Sequence, residues 1–546
     1  MLKLNNVKFA YRVNGKGYIV TTAESIGNKR ISVDISESGD TFSACVRSKS
    51  EIEIVKLSAE FQYVFREPDR IFLNGYQSWT DSYECDIHGR VRGIDLIPAP
   101  ILEKYALSAY GDYDFVKYSR RKGNMHGWTY GYIKHDDGIF TFIGSLSEDD
   151  GFTLIKVNTE KGTITIEKDC TGYFFTGDYS GISLYIGEGT ETEVFDGYFA
   201  KLGIAPKPAK HIFGYTSWYR HYQDISEKCI LNDLEGIKNC GHKADIFQID
   251  DGYQTAVGDW LSIDMSKFPN GMKPAAESIK NEGMTAGLWL APFVCEEKSE
   301  IFRDHKDWLL TDEKGIPVKA GSNWSGAYAM NIYNAEFREY LKDVFRTVTD
   351  EWGFALLKLD FLYAACILPR PDKTRGMIMA DGIRLLREYA GTAKILGCGV
   401  PLGSAFGNVD YCRIGADVTP EWDGKTYTQL LHRERPSTSR SILNSVFRRQ
   451  LNGRAFINDP DVFMLRSTST SMTKAQRLSL AEINALCGGV LFTSDDMGEY
   501  GDEQNELSES MMKLRDARVL AAENCGNKLI LSLELEGRNI IRVYDR

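Results

Sequence analysis

Residues 355–361 of this chain read Ala-Leu-Leu-Lys-Leu-Asp-Phe, an apolar run with a lysine and an aspartate near its C-terminal end. Charged side chains are costly to bury unless they are paired or functional. Lys358 and Asp360 are two residues apart, so on a strand both side chains point to the same face. We therefore expect a buried strand that ends in groups with a chemical role.

Seven further short apolar segments accompany this one, and helical segments lie between them. Residues 335–349, for example, repeat apolar side chains near the helical period. Eight strand and helix units in succession predict an α/β fold, a (β/α)8 TIM barrel with an active site at the C-terminal ends of its strands. The predicted strands are 211–218, 244–250, 285–292, 354–361, 393–398, 410–416, 453–458 and 488–494.

The chain of 546 residues is too long for one hydrophobic core, so more than one domain is expected. Residues 1–200 contain short segments rich in β-branched and aromatic residues, divided by Gly, Asn and Asp turns, which predicts a β-sandwich. Two prolines within 203–209 indicate a linker. The predicted domains are an N-terminal β-sandwich at 1–200, a catalytic barrel at 201–515 and a short C-terminal β element at 516–546.

Composition limits the partners of the chain. The formal charge is −11 and no basic patch stands out, so nucleic acid and anionic membranes are unsuitable partners and a neutral small molecule suits better. No run of about 18 apolar residues could span a membrane, and the N-terminal residues have no signal-peptide pattern. The 11 cysteines are scattered without a Cys-x-x-Cys pair, which is typical of reduced thiols in the cytoplasm.

Polar and aromatic residues follow nearly every predicted strand. Carboxylates that accept hydrogen bonds from hydroxyls, together with tryptophans that cover apolar C–H faces, are typical of a carbohydrate site. Glycoside cleavage in addition needs two carboxyl groups, one that attacks or activates water and one that protonates the leaving oxygen. The strand-end residues are Trp218 and Tyr219, Asp250 and Asp251, Trp289, Lys358 and Asp360, Cys398 and Gly399, Arg413 and Asp417, Asp459 and Asp461, and Asp495 and Asp496.

Two other roles for these acids stay open at this point. Asp459, Asp461, Asp495 and Asp496 are as well explained as N-caps of the helices that follow, since Asp is a favoured N-cap. A metal site is disfavoured, because adjacent residues such as Asp250 and Asp251 point to opposite faces of a strand and the chain has only 8 His without a zinc-binding pair. The sequence predicts no metal and no cofactor.

Five motifs together resemble the α-galactosidases of glycoside hydrolase family 36, which belong to retaining clan D. The resemblance is closest to compact bacterial enzymes of about this length, and it extends from the N-terminal domain into the end of the barrel. The motifs are Phe-Gln-Ile-Asp-Asp at 247–251, Gly-Asp-Trp-Leu at 258–261, Lys-Leu-Asp-Phe at 358–361, Gly-Cys-Gly at 397–399 and Arg-Ile-Gly-Ala-Asp at 413–417.

The resemblance implies a role for each of these positions. Asp360 matches the nucleophile and Asp417 the acid/base of the family. The residues expected to bind substrate are Asp250 and Asp251, which match acids on the 4- and 6-hydroxyls, Lys358 and Arg413, Cys398 and Gly399, Trp289 and Trp218, and Trp79. Trp79 lies in Gly-Tyr-Gln-Ser-Trp at 75–79, which resembles a loop placed over the site; by itself it would be read as a sandwich-core residue.

The resemblance thus implies a retaining α-galactosidase acting on a galactoside oligosaccharide. Its two catalytic carboxyl groups should then lie roughly 5–6 Å apart. The alternatives are an α-N-acetylgalactosaminidase of the same family, which needs room beside the 2-position of the sugar, and a non-catalytic sugar-binding protein on the same barrel. The oligomeric state, a homo-oligomer included, is left open by the sequence.

Overall fold

The computed structural model describes residues 2–208, 211–425 and 428–546. Its strands form an N-terminal antiparallel sheet, a parallel sheet in the middle of the chain, a small antiparallel sheet beside it, and a C-terminal antiparallel sheet. This arrangement confirms the predicted fold class. The domain boundaries after residues 200 and 515 stay predictions. Among the described residues, no helix combines the length and apolar character needed to cross a membrane.

Twelve antiparallel strands build the N-terminal region. Two long strands, Thr41–Gln62 and Phe174–Gly189, pair with each other and with strands on either side, so they connect the layers over a common apolar core. The strands are Lys3–Val13, Lys16–Thr22, Ile26–Gly27, Ile31–Ser38, Thr41–Gln62, Arg70–Leu73, Asn124–Trp128, Tyr130–Lys134, Phe140–Ser145, Thr153–Asn158, Thr163–Lys168 and Phe174–Gly189.

The parallel sheet contains all eight predicted barrel strands, in sequence order around the sheet. Their residues are almost all buried, because side chains on one face fill the barrel and those on the other meet the surrounding helices. Their C-terminal ends share one edge, which places the strand-end residues together. In order the strands are Ile212–Thr216, Ile246–Ile249, Thr285–Leu290, Leu356–Leu359, Lys394–Gly397, Tyr411–Arg413, Ile457–Asp459 and Val490–Thr493.

The seventh barrel strand is broken near its C-terminal end. Ile457–Asp459 pairs with the sixth strand, whereas Val462–Phe463 pairs with the eighth, so the two pieces bridge the gap between strands six and eight. Pro460, which has no amide hydrogen, and Asp461, with a φ of +77°, interrupt the ladder between them. The predicted strand at 453–458 therefore begins before the observed strand and ends before the break. The break itself turns Asp461 toward the site.

Helices pack around the barrel and mostly begin at Ser, Thr or Asn residues whose side chains accept an amide hydrogen, as at Asn334 and Thr473. The segment predicted as helical at 335–349 is an α-helix to Arg346 and continues as a wider turn over Thr347–Glu351. The α-helices are Ala99–Lys104, Glu191–Lys201, Trp218–His221, Glu227–Lys238, Met272–Asn281, Glu300–Asp304, Ala335–Arg346, Arg375–Ala390, Leu402–Ala405, Thr438–Phe447, Lys474–Cys487 and Asp502–Leu514.

Two smaller sheets complete the fold. Val294–Glu296, Lys319–Gly321 and Ala327–Ala329 form an antiparallel sheet after the third barrel strand. The predicted C-terminal β element contains a hairpin, Lys528–Leu535 and Arg538–Asp545, and a third strand, Arg518–Cys525, that pairs with it and has no clear strand pattern of its own. Residues 204–208 of the predicted linker have no regular structure, and Ala209 lies outside the described residues.

A buried arginine fixes the loop at 75–79 to the barrel. Arg448, which is fully buried, donates to the carbonyl oxygens of Ser78 (2.6 Å) and Ile414 (2.8 Å) and to the side chain of Asn74 (2.9 Å). These bonds join the N-terminal sheet, the end of the sixth barrel strand and the loop between them. The loop carrying Trp79 is therefore held over the C-terminal face of the barrel.

Candidate active site

Asp360 lies directly after the fourth barrel strand and is buried. Its Oδ2 accepts a hydrogen bond from Trp289 Nε1 on the third strand at 3.1 Å, and its Oδ1 accepts from the Phe361 amide at 2.9 Å. Phe361 has a φ of +54°, a conformation uncommon for a residue other than glycine. The backbone thus turns sharply after Asp360 and holds its carboxylate at the strand end.

Lys358 and Asp250 form a buried ion pair across the barrel interior. The Lys358 Nζ is 2.8 Å from Asp250 Oδ2, which also accepts from Gln248 Nε2 at 2.8 Å. Burial lowers the pKa of Lys358, but the Asp250 and Asp360 carboxylates raise it by more, and its pKa stays above the ordinary value. The lysine is therefore a fixed positive charge near both acids.

Asp251 points to a different set of partners from its neighbour Asp250. Its Oδ2 accepts from Trp324 Nε1 at 2.8 Å and from Gln223 Nε2 at 2.9 Å, and its Oδ1 accepts from Gln254 Nε2 at 2.5 Å. Burial raises the pKa of Asp251, although these hydrogen bonds oppose the shift. Three neutral donors thus orient this carboxylate.

Sequence reasoning missed Trp324, Gln223 and Gln254. Trp324 lies in the connection between two strands of the small sheet after barrel strand three, far from any predicted strand end. The two glutamines are uncharged residues in loops, and nothing in their local sequence distinguishes them from other loop amides. Only the folded chain brings Trp324 and Gln223 to Asp251, whereas Gln254 is three residues away in the same loop.

Arg413, at the end of the sixth strand, binds three carboxylates. Its guanidinium lies 2.6 Å from Asp417, 3.1 Å from Asp459 and 3.0 Å from Asp461. Asp461 also accepts from the Tyr219 hydroxyl and from the Val418 amide, the residue after Asp417. One arginine therefore fixes the position of Asp417 together with the broken seventh strand.

Asp417 is the most accessible member of this cluster, with 36% of its side chain exposed. Burial raises the pKa of Asp417 to about 7, with the Asp461 and Asp360 carboxylates adding to the shift and Arg413 and Lys358 opposing it. A carboxyl group with this pKa exchanges protons near neutral pH. Asp360 therefore lies near enough to affect the ionisation of Asp417, and their predicted separation of roughly 5–6 Å stays a prediction.

The four acids that were equally well explained as helix caps divide into two kinds. Asp459 and Asp461 bind the arginine of the sixth strand rather than the start of a helix. Asp495 pairs with Arg466 at 2.8 Å and so fixes the loop after the seventh strand. Asp496 accepts the amide of the residue two positions later and caps a short 3-10 turn, as the capping interpretation expects.

Trp79 lies against the loop after the fifth strand. Its Nε1 is 3.3 Å from Cys398 Sγ, and its ring meets that of Phe361 edge to face with centroids 5.1 Å apart. Gly399 has a φ of +57°, and a Cβ there would lie 3.0 Å from the Trp79 ring, so glycine permits this approach. Burial and then the Asp360 carboxylate raise the pKa of Cys398, which keeps its thiol protonated.

Trp218 has the weakest connection to the acids. It begins a short helix after the first strand, is half-buried, and meets the Tyr222 ring edge to face at 5.2 Å. Its neighbour Tyr219 is the residue that donates to Asp461. The structure thus brings the predicted residues to one end of the barrel, with Trp218 at the margin and its strand-end neighbour Tyr219 in contact with the acids.

The family model named melibiase matches residues 210–367, which include the first four barrel strands. An α-galactosidase of Escherichia coli is 31% identical over 121 residues, 21% of this chain and 16% of that protein. A type A blood α-D-galactosamine galactosaminidase of Flavonifractor plautii is 30% identical over 144 residues, 25% of this chain and 13% of that protein. The alignments thus span less than a fifth of these two relatives.

A solved structure matches nearly the whole chain. The α-galactosidase TtGalA from Thermus thermophilus, in complex with p-nitrophenyl α-D-galactopyranoside, is 25% identical with a TM-score of 0.72, covering 98% of each chain. The α-galactosidase AgaA from Geobacillus stearothermophilus, at 12% identity and a TM-score of 0.60, shares the fold. These comparisons confirm the resemblance to family 36 and the predicted fold class.

Proposed function

We propose that this relative of the family 36 α-galactosidases is itself a retaining α-galactosidase, which releases terminal α-linked galactose from oligosaccharides in two steps. The observation that carries the proposal is the pairing of two unlike acids. Asp360 is buried beside two hydrogen-bond donors, whereas Asp417 is half-exposed with its pKa raised to about 7. Two carboxyl groups in unlike environments suit unlike roles in glycoside cleavage.

In the first step Asp360 attacks the anomeric carbon and Asp417 donates its proton to the leaving oxygen. Trp289 Nε1 and the Phe361 amide direct the Asp360 oxygens, and the Lys358 ammonium stabilises the negative charge nearby. Arg413 orients Asp417 without deprotonating it, because burial and two neighbouring carboxylates oppose the arginine.

In the second step Asp417, now ionised, removes a proton from water, which attacks the galactosyl-enzyme and releases galactose with retained configuration. A pKa near 7 lets the same group act as acid and then as base at neutral pH. Asp250 and Asp251 are proposed to accept hydrogen bonds from the 4- and 6-hydroxyls, and Trp79, Trp218, Trp289, Cys398 and Gly399 to line the sugar pocket.

The test is hydrolysis of p-nitrophenyl α-galactoside and of its 2-N-acetyl analogue by the same preparation. We expect the galactoside to be the better substrate by kcat/KM. Preference for the N-acetyl analogue would make the protein an α-N-acetylgalactosaminidase. Tight binding of galactose without turnover of either compound would instead favour a sugar-binding protein.

We also propose a cytoplasmic location. Each of the eleven cysteines is a free thiol, which is typical of proteins in a reducing compartment. A small neutral oligosaccharide as the partner agrees with the net charge of −11.

Asp251→Asn is expected to reduce the preference for galactosides over glucosides. The 4-hydroxyl is axial in galactose and equatorial in glucose, so in the wild type the wrong sugar leaves a buried acceptor unpaired, and discrimination should reach roughly 10³-fold or more. The amide should lower kcat/KM for galactosides by about 10- to 100-fold. Steady-state kinetics on both nitrophenyl glycosides measure the ratio.

Asp69→Asn is the matched control, because Asp69 is equally buried but lies in the N-terminal region, just before the strand Arg70–Leu73, where it binds His135. It should leave the galactoside to glucoside ratio unchanged. A wild-type enzyme that hydrolyses both sugars comparably would rule out this assignment of Asp250 and Asp251.

Asp461→Asn is expected to shift the basic limb of the kcat/KM against pH profile to lower pH. In the wild type, activity should fall as pH rises through about 7, because Asp417 must be protonated to act as the acid. Removing the Asp461 charge removes one cause of the raised pKa, so Asp417 should lose its proton on the order of one unit lower.

Asp459→Asn is the control for this experiment. It also removes a carboxylate from Arg413, but Asp459 is not among the largest causes of the raised pKa of Asp417, and the variant leaves the Asp461 contact with Val418 in place. Its basic limb should move less than that of Asp461→Asn. Equal shifts in the two variants would mean that Arg413, not Asp461, controls the ionisation of Asp417.

A further inference from the structure

Trp324, one of the three donors to Asp251, has an unusual backbone conformation. Its Nε1 lies 2.8 Å from Asp251 Oδ2, and its ring packs against that of Phe361 with centroids 5.1 Å apart. We call residues 322–326, which join two strands of the small sheet, the Trp324 loop. Trp324 has a φ of +54°, which is costly for a residue with a large side chain, so the surrounding structure must hold it there.

The second half of the Trp324 loop is held by the barrel part of the chain. The amide and the hydroxyl of Ser325 both donate to Glu296 Oε2, at 3.2 and 2.7 Å. The other oxygen of Glu296 accepts from the Val257 amide at 3.0 Å, in the loop after the second barrel strand. This side of the loop is therefore fixed without the N-terminal region.

The first half of the loop is held by Tyr110, a buried residue of the N-terminal region. Its hydroxyl donates to Asn323 Oδ1 at 2.5 Å and accepts from the Ser322 amide at 3.1 Å. Gly321 permits this approach, since a Cβ there would lie 2.5 Å from the hydroxyl oxygen. Burial raises the pKa of Tyr110, so the hydroxyl stays protonated and remains a donor. One hydroxyl thus binds both residues directly before Trp324.

Tyr110 is itself fixed on two sides. Its carbonyl oxygen accepts from Gln77 Nε2 at 3.0 Å, two residues before Trp79. Its ring stacks on that of His432, with centroids 4.8 Å apart and planes within 12°. Tyr110 therefore connects two loops that each carry a tryptophan of the candidate site, the loop at 75–79 and the Trp324 loop.

We propose that Tyr110 is a positioning residue that determines sugar specificity: through the Trp324 loop it holds an indole N–H on Asp251 and so fixes the direction of that carboxylate. This inference rests on the proposed function, in which Asp251 accepts from a galactose hydroxyl. Without the tyrosine hydroxyl, the loop can relax and Asp251 Oδ2 keeps only Gln223 as a donor. The partners of Asp360 and Asp417 are unchanged, so binding should suffer and chemistry should not.

The experiment measures kcat and KM of the whole protein on p-nitrophenyl α-galactoside and α-glucoside. Tyr110→Phe keeps the stacked ring, and it should raise KM for the galactoside by about 3- to 10-fold while kcat changes by less than about 2-fold. The galactoside to glucoside ratio of kcat/KM should fall by a similar factor, because the glucoside gains little from an aligned Asp251. Asn323→Ala, at an exposed position, should reproduce both effects from the other side of the hydrogen bond.

A double-mutant cycle tests whether the effect passes through Asp251. In the Asp251→Asn background, Tyr110→Phe should lower kcat/KM by less than about 2-fold further, since the group that it positions is already changed. Tyr118→Phe is the matched control, because Tyr118 belongs to the same N-terminal segment but donates its hydroxyl proton to Asp112 rather than to the Trp324 loop. It should leave kcat, KM and the sugar ratio unchanged.

An unchanged KM in Tyr110→Phe, an equal fall in kcat on both sugars, or losses that add to those of Asp251→Asn would overturn the inference while the proposed hydrolase function stands. A rise in KM of the same size in Tyr118→Phe would also overturn it, since general packing of the N-terminal region would then explain the effect. A wild type that hydrolyses neither glycoside would instead overturn the proposed function.

Discussion

Asp360→Ala should lower kcat on p-nitrophenyl α-galactoside by roughly 10⁴-fold or more, since removal of a covalent nucleophile leaves only binding and charge stabilisation. The nitrophenol leaving group of this substrate needs little protonation, so an intact Asp417 cannot compensate for the loss of the nucleophile. Trp289 Nε1 and the Phe361 amide, which direct the carboxylate in the wild type, would point into a small space. Stopped and continuous assays of nitrophenol release measure the fall in kcat.

Asp360→Asn controls for the loss of side-chain volume, because its amide has nearly the same size and its oxygen can still accept from one of the two donors, Trp289 or Phe361. Both variants should still bind galactose and keep the wild-type melting temperature within a few degrees. If azide is added to Asp360→Ala, any galactosyl azide should have the β configuration, formed by direct displacement. Residual kcat within about 10-fold of the wild type would remove Asp360 from the role of nucleophile.

The barrel could be predicted because the apolar pattern that marks each of its strands and helices is local in the sequence. Strands buried on both faces appear as short continuous apolar runs, and helical periodicity between them leaves few alternatives. The break at Pro460 and Asp461 was missed, since a strand that changes partners leaves no local pattern beyond a proline. The strand Arg518–Cys525 could not be identified individually within the predicted C-terminal β element, because its burial depends on pairing with the C-terminal hairpin.

The residues of the candidate site also differ in whether a local sequence pattern could identify them. Lys358 and Asp360 could be found because charges inside an apolar run demand an explanation. Trp324, Gln223 and Arg448 could not, because each reaches its partner from a loop or helix distant in sequence. Trp79 was placed by resemblance alone, and its contact with Cys398 joins two parts of the chain that are 319 positions apart.

Asp417→Ala should affect substrates according to the basicity of their leaving groups. Oligosaccharides leave as poor alkoxides and need the proton of Asp417, so their hydrolysis should fall by roughly 10³- to 10⁴-fold. The nitrophenyl substrate leaves readily, so the galactosyl-enzyme on Asp360 should still form. Its breakdown should be slow without the general base, and a burst of nitrophenol followed by slow turnover is the expected time course.

Azide should rescue this variant, because a small anion needs no general base and can enter the space left by the carboxyl group. The half-exposed position of Asp417 gives it access. Attack on a galactosyl-enzyme that is β-linked to Asp360 must give the α-azide, whereas Asp360→Ala can give only the β-azide. If the two variants yield the opposite azides, Asp417 is the nucleophile and Asp360 the acid, and the raised pKa of Asp417 does not mark the proton donor.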